Sequence, residues 1–341
     1  MVAVPGFYKM DSDFPRIQSF SRIVKVIPSA KLPRKIRIHG TDGHTYKYLL
    51  KGTEDLMLDQ RIMQWFSLSN SLLRDDKGGI EKHLTIECYP IIPLSPLAGM
   101  IAWAEGSETF YSLISWYNDL KHKPDYITQV HEMLRLPDNK KIDIDALSRI
   151  HRLEFYRDLC GMTDDTALRE AIWIKSPGAD IWFMQKTNFA RSMGLMSIVG
   201  YIIGLGDRHP NNILFMNKTG KQVHIDFSEC FEKATKRSYY PEKVQFRLTR
   251  MMVKVLGVSG VEGDFKMTAQ YVISLMRRNK SSLLAFLDFF DKGADVDLGK
   301  NDINRIHDKL DGNEFEDVKN LSVDDHVDRL IAEATDENNL S

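Results

Sequence analysis

The sequence predicts an α+β fold of two lobes, in which a small antiparallel β-sheet precedes a mainly helical part. Short runs rich in Ile, Val, Tyr and Leu dominate residues 14–104, which is typical of strands. Beyond Gly106 the apolar residues recur at helical spacing instead. With 341 residues, of which 43% are apolar, the chain is long enough to form one large bilobal unit or two domains.

The first lobe is predicted over residues 1–104. Its strands are expected at Arg22 to Ile27, Arg34 to His39, Thr45 to Lys51 and Leu84 to Leu94. Thr41-Asp42-Gly43 is a hairpin-turn signal between the second and third of these strands. One helix is predicted from about Glu54 to Leu73, and residues 100–104 are expected to form the hinge to the second lobe.

The second lobe is predicted over residues 105–292. Segments with an apolar face at helical spacing are expected to form its helices: 107–120, 126–135, 144–160, 165–174, 187–205, 245–256, 264–277 and 279–291. Lys292 to Asn301 has the composition of a linker. Residues 293–341 are therefore predicted to be a linker followed by a separate C-terminal segment.

Composition argues against several classes of protein. A net charge of −1 disfavours a nucleic-acid-binding protein that works by general electrostatics. The N-terminus has no secretory signal pattern, and the most apolar run, Met193 to Gly206, is too short to cross a bilayer. Cys88, Cys160 and Cys230 form no disulfide framework and suit a reducing compartment. We therefore expect a cytoplasmic protein without a transmembrane segment.

The most informative motifs are Gly-Leu-Gly-Asp-Arg-His-Pro-Asn-Asn at 204–212 and His-Ile-Asp-Phe at 224–227. Kinase catalytic loops place an Asp and an Asn five positions apart, with a second Asp on the next hairpin. Asp207 and Asn212 have this spacing, and Asp226 follows the β-type run Gln222 to Ile225. The pattern predicts that Asp207 orients the attacking hydroxyl. Asn212 and Asp226 would then hold Mg²⁺ through oxygen ligands.

These motifs resemble the phosphatidylinositol-3-kinase-related protein kinases, in which His follows the catalytic Asp, and the target-of-rapamycin branch in particular. The resemblance covers most of residues 1–275. It extends through Val4-Pro5-Gly6, Pro33-Arg34-Lys35, Leu49 to Gly52, Glu54-Asp55-Leu56, Ile92 to Ser95, Trp173 to Pro177, Trp182-Phe183, Arg191-Ser192 and Pro241 to Arg250. His326 to Leu340 resembles a shortened form of the FATC segment that closes such kinases. The resemblance implies their bilobal kinase fold, with catalytic and activation loops in residues 105–292.

The resemblance also implies ATP and Mg²⁺, or Mn²⁺, as cofactors. It makes Lys51 the lysine that binds the ATP phosphates, with Glu54 as its partner and Asp59 as an acid facing the cleft. Considered alone, a lysine at a strand end is more often a solvated surface group. Asp59 could likewise form a salt bridge on the helix surface instead.

The edge of the nucleotide site is predicted from Ser29, Trp103 and Ala104. Ser29 to Lys35 lies where kinases place the loop that covers the phosphates, but it contains no glycine. By resemblance, Ser29 contacts the terminal phosphates. Lys31, Arg34 and Lys35 are expected to face solvent. Trp103 would stack on adenine and Ala104 would offer backbone groups. The alternative for Trp103 is ordinary packing in a hinge.

His209 is predicted to donate to the γ-phosphoryl group, because preorganised donors are what the transition state of phosphoryl transfer requires. The alternative is a core histidine bonded to a backbone carbonyl. Arg208 could neutralise carboxylates or hold the loop. The predicted catalytic residues are therefore Asp207, His209 and Asn212 of the loop, together with Asp226.

The acceptor is expected to lie against residues 228–246. An anionic lipid headgroup could use the basic residues of this segment, which are Lys233, Lys236, Arg237 and Lys243. Phosphoinositide kinases carry a denser basic run here, whereas Pro241 to Arg250 resembles the protein-phosphorylating branch. Transfer to protein Ser or Thr in growth or nutrient signalling is thus predicted, with a phosphoinositide kinase as the alternative.

One departure from the family keeps a third interpretation open. Ser228 stands where glycine usually follows Asp-Phe, and serine restricts the backbone, so activity could be lowered. A pseudokinase scaffold with weak or no transfer would fit that change. Retention of Lys51, Asp207, Asn212 and Asp226 argues for an active enzyme.

Partners follow only from the resemblance. Residues 108–160 occupy the region where the family binds a small β-propeller regulatory subunit, although Trp116, Tyr117 and Leu120 could equally be core. Protein substrates and scaffold subunits of a target-of-rapamycin-like complex are also implied, with association to endomembranes or the nucleus through them. The acidic tail around Val327 to Ile331 is predicted to be an amphipathic helix, packed on the activation segment or solvated.

Overall fold

An antiparallel sheet forms the N-terminal part of the protein. The computed structural model describes residues 2–8, 10, 13–29, 31–123, 148–238, 241–292, 300–315 and 317–340. The strands are β1 (Ile17–Phe20), β2 (Lys25–Val26), β3 (Arg34–Gly40), β4 (Thr45–Lys51), β5 (Ile91–Ser95) and β6 (Ala98–Ala102). Their order is β1-β3-β4-β6-β5, and β2 also pairs with β3. The predicted α+β fold is confirmed.

The hairpin of β3 and β4 is the backbone of this sheet. Its register runs from Arg34 opposite Leu50 to His39 opposite Thr45, and Gly43 supplies a φ of +79° in the turn. Alternate side chains on one face, Ile38 and Tyr48, are buried in a small core with Val4.

Two predicted strands are shorter than expected, and two strands were missed. Of Arg22 to Ile27 only β2 pairs, and of Leu84 to Leu94 only the part from Ile91 does. The Asn70 side chain explains the second difference: its amide donates to Ile86 O at 2.9 Å and accepts from Ile86 N at 2.8 Å. A side chain thus takes the place of a neighbouring strand. The missed strands are β1 and β6.

Helix α1 (Met57–Asp75) crosses beneath the sheet and is followed by α2 (Lys77–Glu81). It begins three residues after the predicted start, because the Asp55 carboxylate accepts from Met57 N at 2.9 Å and ends the preceding turn. The buried face of α1 includes Ile62, Trp65 and Phe66. This face belongs to the large core that β5 shares with the helical lobe.

The second lobe is mainly helical. Its helices are α3 (Phe110–Leu120), α4 (Arg149–Met162), α5 (Ala167–Lys175), α6 (Ala179–Ile202), α7 (Arg250–Leu256), α8 (Asp264–Arg278), α9 (Lys280–Lys292), α10 (Lys300–Asp311), α11 (Val323–Thr335) and α12 (Glu337–Leu340). A second sheet, of order β7-β8-β9, consists of β7 (Ser107–Thr109), β8 (Ile213–Met216) and β9 (Gln222–His224). Residues 192–202 of α6 are all buried, so this helix is the centre of the lobe.

Several helix predictions need correction. Residues 107–109 form β7, which pairs with β8, so the first helix begins only at Phe110. Helix α6 begins at Ala179, eight residues before its predicted start at 187. Helix α10 was not predicted, because its sequence is highly charged. The predicted helix at 126–135, the first residues of 144–160 and most of the 292–301 linker lie outside the described residues.

Candidate active site

The catalytic loop, residues 204–212, joins α6 to β8 and is held by one buried side chain. The Arg208 guanidinium donates to three backbone carbonyls, Gly206 O at 2.7 Å, Ile225 O at 2.9 Å and Asp226 O. Arg208 therefore holds the loop rather than pairing directly with a carboxylate. Because one side chain bonds both motifs, the loop and the segment after β9 stay together.

Asp207 and Asn212 meet as their spacing predicts. Asn212 is 7% exposed, and its Nδ2 donates to Asp207 O at 2.9 Å and lies 3.4 Å from Asp207 Oδ2. Since the amide nitrogen is used in this way, the amide oxygen is the atom that Asn212 can offer to a cation. The Asp207 carboxylate also lies 3.2 Å from Arg237 Nη2.

His209 lies at the mouth of the site. Its side chain is 48% exposed, and its Nδ1 accepts from Asn211 N at 3.2 Å. A neutral ring with this contact carries its proton on Nε2, which lies 3.8 Å from Asp207 Oδ2. The alternative of a core histidine is therefore wrong, while the catalytic role of His209 stays a prediction.

Asp226 is reached by the predicted hairpin of β8 and β9. Ile225 N donates to Asn212 O at 3.0 Å, which brings the Asp226 segment beside Asn212. Ser228 donates to Asp226 Oδ1 from its hydroxyl at 2.9 Å and from its N–H at 3.3 Å. Burial raises the pKa of Asp226, but these bonds and the charges of Lys51 and Arg208 outweigh burial and lower it.

A divalent cation fits this donor set. Asp226 provides a carboxylate held in its ionised form, and Asn212 provides an amide oxygen, which are the hard oxygen ligands that Mg²⁺ prefers. Among the described residues there is no cluster of three His, Cys, Asp or Glu side chains that could hold a metal by themselves. The remaining ligands would therefore come from phosphate oxygens and water, as is usual for Mg²⁺.

Lys51 and Glu54 form the predicted ion pair. Lys51 Nζ lies 2.6 Å from Glu54 Oε2, and its side chain is 18% exposed, so it is not a solvated surface lysine. Lys31 Nζ lies 2.9 Å from Glu54 Oε1, although its side chain is 60% exposed. Burial raises the pKa of Glu54, but its bonds to both lysines lower it overall. Glu54 precedes α1 rather than lying in it.

Asp59 is the most perturbed acid of the site. It is 8% exposed and accepts from Phe227 N at 3.3 Å, which places it behind Asp226. Burial raises the pKa of Asp59 to about 6, against the bond from Phe227 N and the charge of Lys51, which lower it. Asp59 is thus buried against the Phe227 backbone, so the alternative of a salt bridge on the helix surface is wrong, while its role at the cleft stays a prediction.

At the predicted edge of the nucleotide site, the position of Lys35 differs from the expectation. The Lys35 ammonium lies 3.3 Å from the centroid of the Trp103 ring, so this face of the indole carries a cation, and Lys35 is not simply solvent-facing. Trp103 is 38% exposed, and Ala104 O accepts from Ser107 Oγ at 2.7 Å. Ser29 is exposed in the turn before β3, where its carbonyl accepts from Leu32 N.

Two residues in contact with Asp207 were missed. Arg237 pairs with its carboxylate, and Glu242 accepts from Asp207 N at 2.8 Å. Both come from residues 228–246, which were predicted only as the segment that the acceptor lies against. No local pattern links them to Asp207, whereas the Asp-Phe-Ser order at 226–228 is a recognisable side-chain turn that could have identified the Ser228 contact.

The activation segment, residues 226–249, is anchored by the C-terminal helices. Glu232 lies between Lys309 Nζ at 2.8 Å and Arg305 Nη2 at 2.9 Å, both from α10. On α11, His326 is fully buried and its Nε2 lies 2.8 Å from Tyr201 Oη of α6. The tail is therefore packed on the lobe, so the alternative of a solvated terminal helix is wrong.

Comparison with known proteins identifies the family of this chain. Residues 45–293 match the family described as phosphatidylinositol 3- and 4-kinase, and residues 320–341 match the FATC domain. The serine/threonine-protein kinase mTor of Drosophila melanogaster is 43% identical over 85% of this chain and 12% of its own length. The serine/threonine-protein kinase TOR2 of Saccharomyces cerevisiae is 36% identical over 99% of this chain and 16% of its own length.

A solved structure gives the same result at the level of the fold. The FAT and kinase domain of CtTel1 superposes with a TM-score of 0.85 at 25% identity, covering 99% of this chain and 24% of that one. The present chain thus spans a small part of the proteins that it matches. The predicted resemblance is confirmed: the chain belongs to the phosphatidylinositol 3- and 4-kinase family, in which it is similar to the target-of-rapamycin protein kinases.

Proposed function

We propose that this chain is an ATP-dependent serine/threonine protein kinase of the target-of-rapamycin type. The observation that carries the proposal is the joining of the catalytic loop to the Asp226 segment by the Arg208 guanidinium, with Asn212 bonded to Asp207. The Lys51–Glu54 pair is near enough for the charge of Lys51 to lower the pKa of Asp226. This is the set of groups that phosphoryl transfer uses.

Each residue has a defined task in this proposal. Lys51, oriented by its ion pair with Glu54, binds phosphate oxygens of ATP. Asp207 accepts a hydrogen bond from the acceptor hydroxyl and aligns it for in-line attack, while His209 Nε2 donates to the phosphoryl oxygens. Bound to Asn212 and Asp226, Mg²⁺ would neutralise the charge that develops on the phosphates.

A protein acceptor is favoured over a lipid headgroup by the contacts of the basic residues in 228–246. Lys236 Nζ lies 3.1 Å from Asp302 Oδ1, and Arg237 is shared between Asp207 and Glu229. Lys243 Nζ lies 3.5 Å from Asn338 O. Groups already bonded within the protein form a weaker anion site than the isolated charges suggested. Among the described residues, no helix has the length and apolarity to span a bilayer.

Partners and location are proposed from family membership alone. We infer a β-propeller regulatory subunit on residues 108–160 and scaffold subunits, in a cytoplasmic complex that reaches endomembranes or the nucleus through them. Within this surface Tyr117 is 6% exposed and belongs to the core, whereas Leu120 is 49% exposed. Leu120 is thus the better candidate for contact with a subunit.

The acceptor class is tested by competition in one reaction. The purified chain is given labelled ATP, Mg²⁺ or Mn²⁺, casein and phosphatidylinositol vesicles, with Asp207→Ala in parallel. Label in casein that disappears with Asp207→Ala is the expected result. Label in the lipid would establish the phosphoinositide alternative. ATP binding without transfer to either acceptor would favour the pseudokinase scaffold.

A further inference from the structure

The activation segment contacts Asp207 at two separate groups. Arg237 Nη2 lies 3.2 Å from the Asp207 carboxylate, while its Nε lies 3.4 Å from Glu229 Oε2. The Asp207 N–H donates to Glu242 Oε1 at 2.8 Å, across 35 residues of chain. One contact balances the charge of Asp207, and the other acts on its backbone.

The backbone of Asp207 requires such support. Its φ of +58° lies in the left-handed region, which costs free energy for any residue with a Cβ atom. A conformation of this kind persists only when its surroundings fix it. Asn212 holds the Asp207 carbonyl, and Glu242 holds the Asp207 N–H. The two bonds together determine the direction in which the Asp207 side chain leaves the loop.

Glu242 is tightly placed under the loop. A Cβ atom on Gly206 would lie 2.9 Å from Glu242 Oε2 and 2.3 Å from Ala234 Cβ, so the absence of a side chain there lets the carboxylate approach. The backbone N–H of Glu242 donates to Ala234 O at 3.1 Å. These contacts leave the Glu242 carboxylate little room to move relative to Asp207.

The half-buried position of Glu242 indicates a functional reason for an oxygen acceptor at the Asp207 N–H. Burial raises the pKa of Glu242, and so does the charge of Asp207, while the Asp207 N–H and Arg237 act against that rise. A half-buried acid beside another acid is unfavourable for folding. Such costs concentrate at active sites, where they support a required geometry.

We propose that Glu242 is a positioning residue for the reaction, which fixes the Asp207 backbone so that its carboxylate meets the acceptor hydroxyl. This inference rests on the proposed function, since it assigns a task to the acceptor segment of the same site. It couples the segment that carries the acceptor to the residue that orients its hydroxyl.

Turnover is the first test. Glu242→Gln keeps an oxygen acceptor for Asp207 N–H, whereas Glu242→Leu removes it at similar size. We expect Glu242→Leu to lower kcat by roughly tenfold to a hundredfold, with KM for ATP within about twofold, and Glu242→Gln to keep kcat within about threefold of the wild type. Glu262→Leu, an exposed glutamate at 69% side-chain exposure, is the control and should leave both constants unchanged.

Equal loss in Glu242→Leu and Glu242→Gln, or no loss in either, would overturn the proposal. If Glu242→Leu does not fold, Glu242→Asp replaces it. That variant keeps the charge but withdraws the carboxylate by one methylene group, so we expect kcat to fall while Glu242→Gln remains active.

Hydrogen exchange at the Asp207 amide separates this proposal from the proposed function. The amide should exchange roughly tenfold faster in Glu242→Leu than in the wild type or Glu242→Gln, because a hydrogen bond of ordinary strength is lost. Equal exchange in all three proteins would refute the role of Glu242 even if the enzyme is active. If the wild type is inactive but the Asp207 amide still exchanges faster in Glu242→Leu, the contact is supported and the proposed function is refuted.

Discussion

Two acids of the candidate site, Asp59 and Asp226, have pKa values that are shifted in opposite directions. Asp59 accepts from the N–H of Phe227, the residue that follows Asp226, yet the pKa of Asp59 is raised and that of Asp226 is lowered. Ser228 accounts for much of the difference, because it donates two hydrogen bonds to Asp226. Neighbouring acids whose pKa values are shifted in opposite directions are typical of a functional site.

The raised pKa of Asp59 predicts a pH-dependent gain in stability for Asp59→Asn. Above pH 6 the folded protein carries a buried charge, so stability is lowered; the cost disappears as pH falls from about 6 to 3.8. Two pKa units correspond to about 3 kcal/mol. Urea unfolding without nucleotide should therefore show Asp59→Asn gaining up to about 3 kcal/mol more relative to the wild type near pH 8 than near pH 4.

Asp119→Asn, on the exposed end of α3, is the control for this measurement and should show the same small effect at both pH values. A gain for Asp59→Asn that is independent of pH, or larger at low pH, would contradict the assignment of a raised pKa.

Ser228 predicts an unusual response to restoring the glycine of the family. Ser228 has no positive φ, in contrast to Asp226 at +61°, so the position has no requirement for glycine. Ser228→Gly would remove the hydroxyl bond to Asp226 Oδ1 and leave the N–H bond. We expect roughly tenfold weaker Mn²⁺ binding in the presence of ADP, measured by electron paramagnetic resonance. Tighter binding would instead support the expectation that serine impairs the metal loop.

At the scale of elements, contacts within one local motif could be predicted from the sequence, whereas contacts between distant segments could not. The spacing within 204–226 was sufficient to predict that Asp207, Asn212 and the Asp226 segment meet, because one hairpin joins them. The contact of Lys35 with Trp103 was not predictable, since it depends on which residues of β3 and the hinge become neighbours in the sheet. Helix α10 shows the same limit: only tertiary packing explains the burial of Lys309.

The buried pair of Glu232 and Lys309 predicts strong coupling between the activation segment and α10. Lys309 is 1% exposed and also donates to Tyr201 O at 2.8 Å. Lys309→Met leaves the Glu232 carboxylate without its buried partner, so urea unfolding should show a loss of about 3 kcal/mol. Arg305→Met is the matched control, because its side chain is 54% exposed and its loss should cost about 1 kcal/mol or less.

Glu232→Gln combined with Lys309→Met should recover part of the loss, because no uncompensated charge then stays buried. A cost below about 1 kcal/mol for Lys309→Met alone would mean that α10 does not anchor the activation segment.

For the whole molecule, the sequence predicted the order of the two lobes and missed how the chain end closes the second one. The apolar stripe of α11 left open whether this helix packs on the activation segment or is solvated. In the structure, α11 packs on α8. Arg277 Nη2 of α8 lies 2.7 Å from His326 Nδ1, and Lys266 Nζ lies 2.5 Å from Asp328 Oδ1. The catalytic loop, activation segment and C-terminal helices thus form one connected unit.

The proposed role of Asp207 is to orient the hydroxyl for transfer without holding ATP. Single-turnover transfer from ATP to a protein acceptor, with ATP affinity measured on the same samples, tests it in the wild type and in Asp207→Asn. We expect the rate of transfer to fall by at least about a hundredfold and the Kd for Mg·ATP to change by less than about threefold. Undiminished transfer by Asp207→Asn, or a loss that follows loss of ATP binding, would contradict the claim.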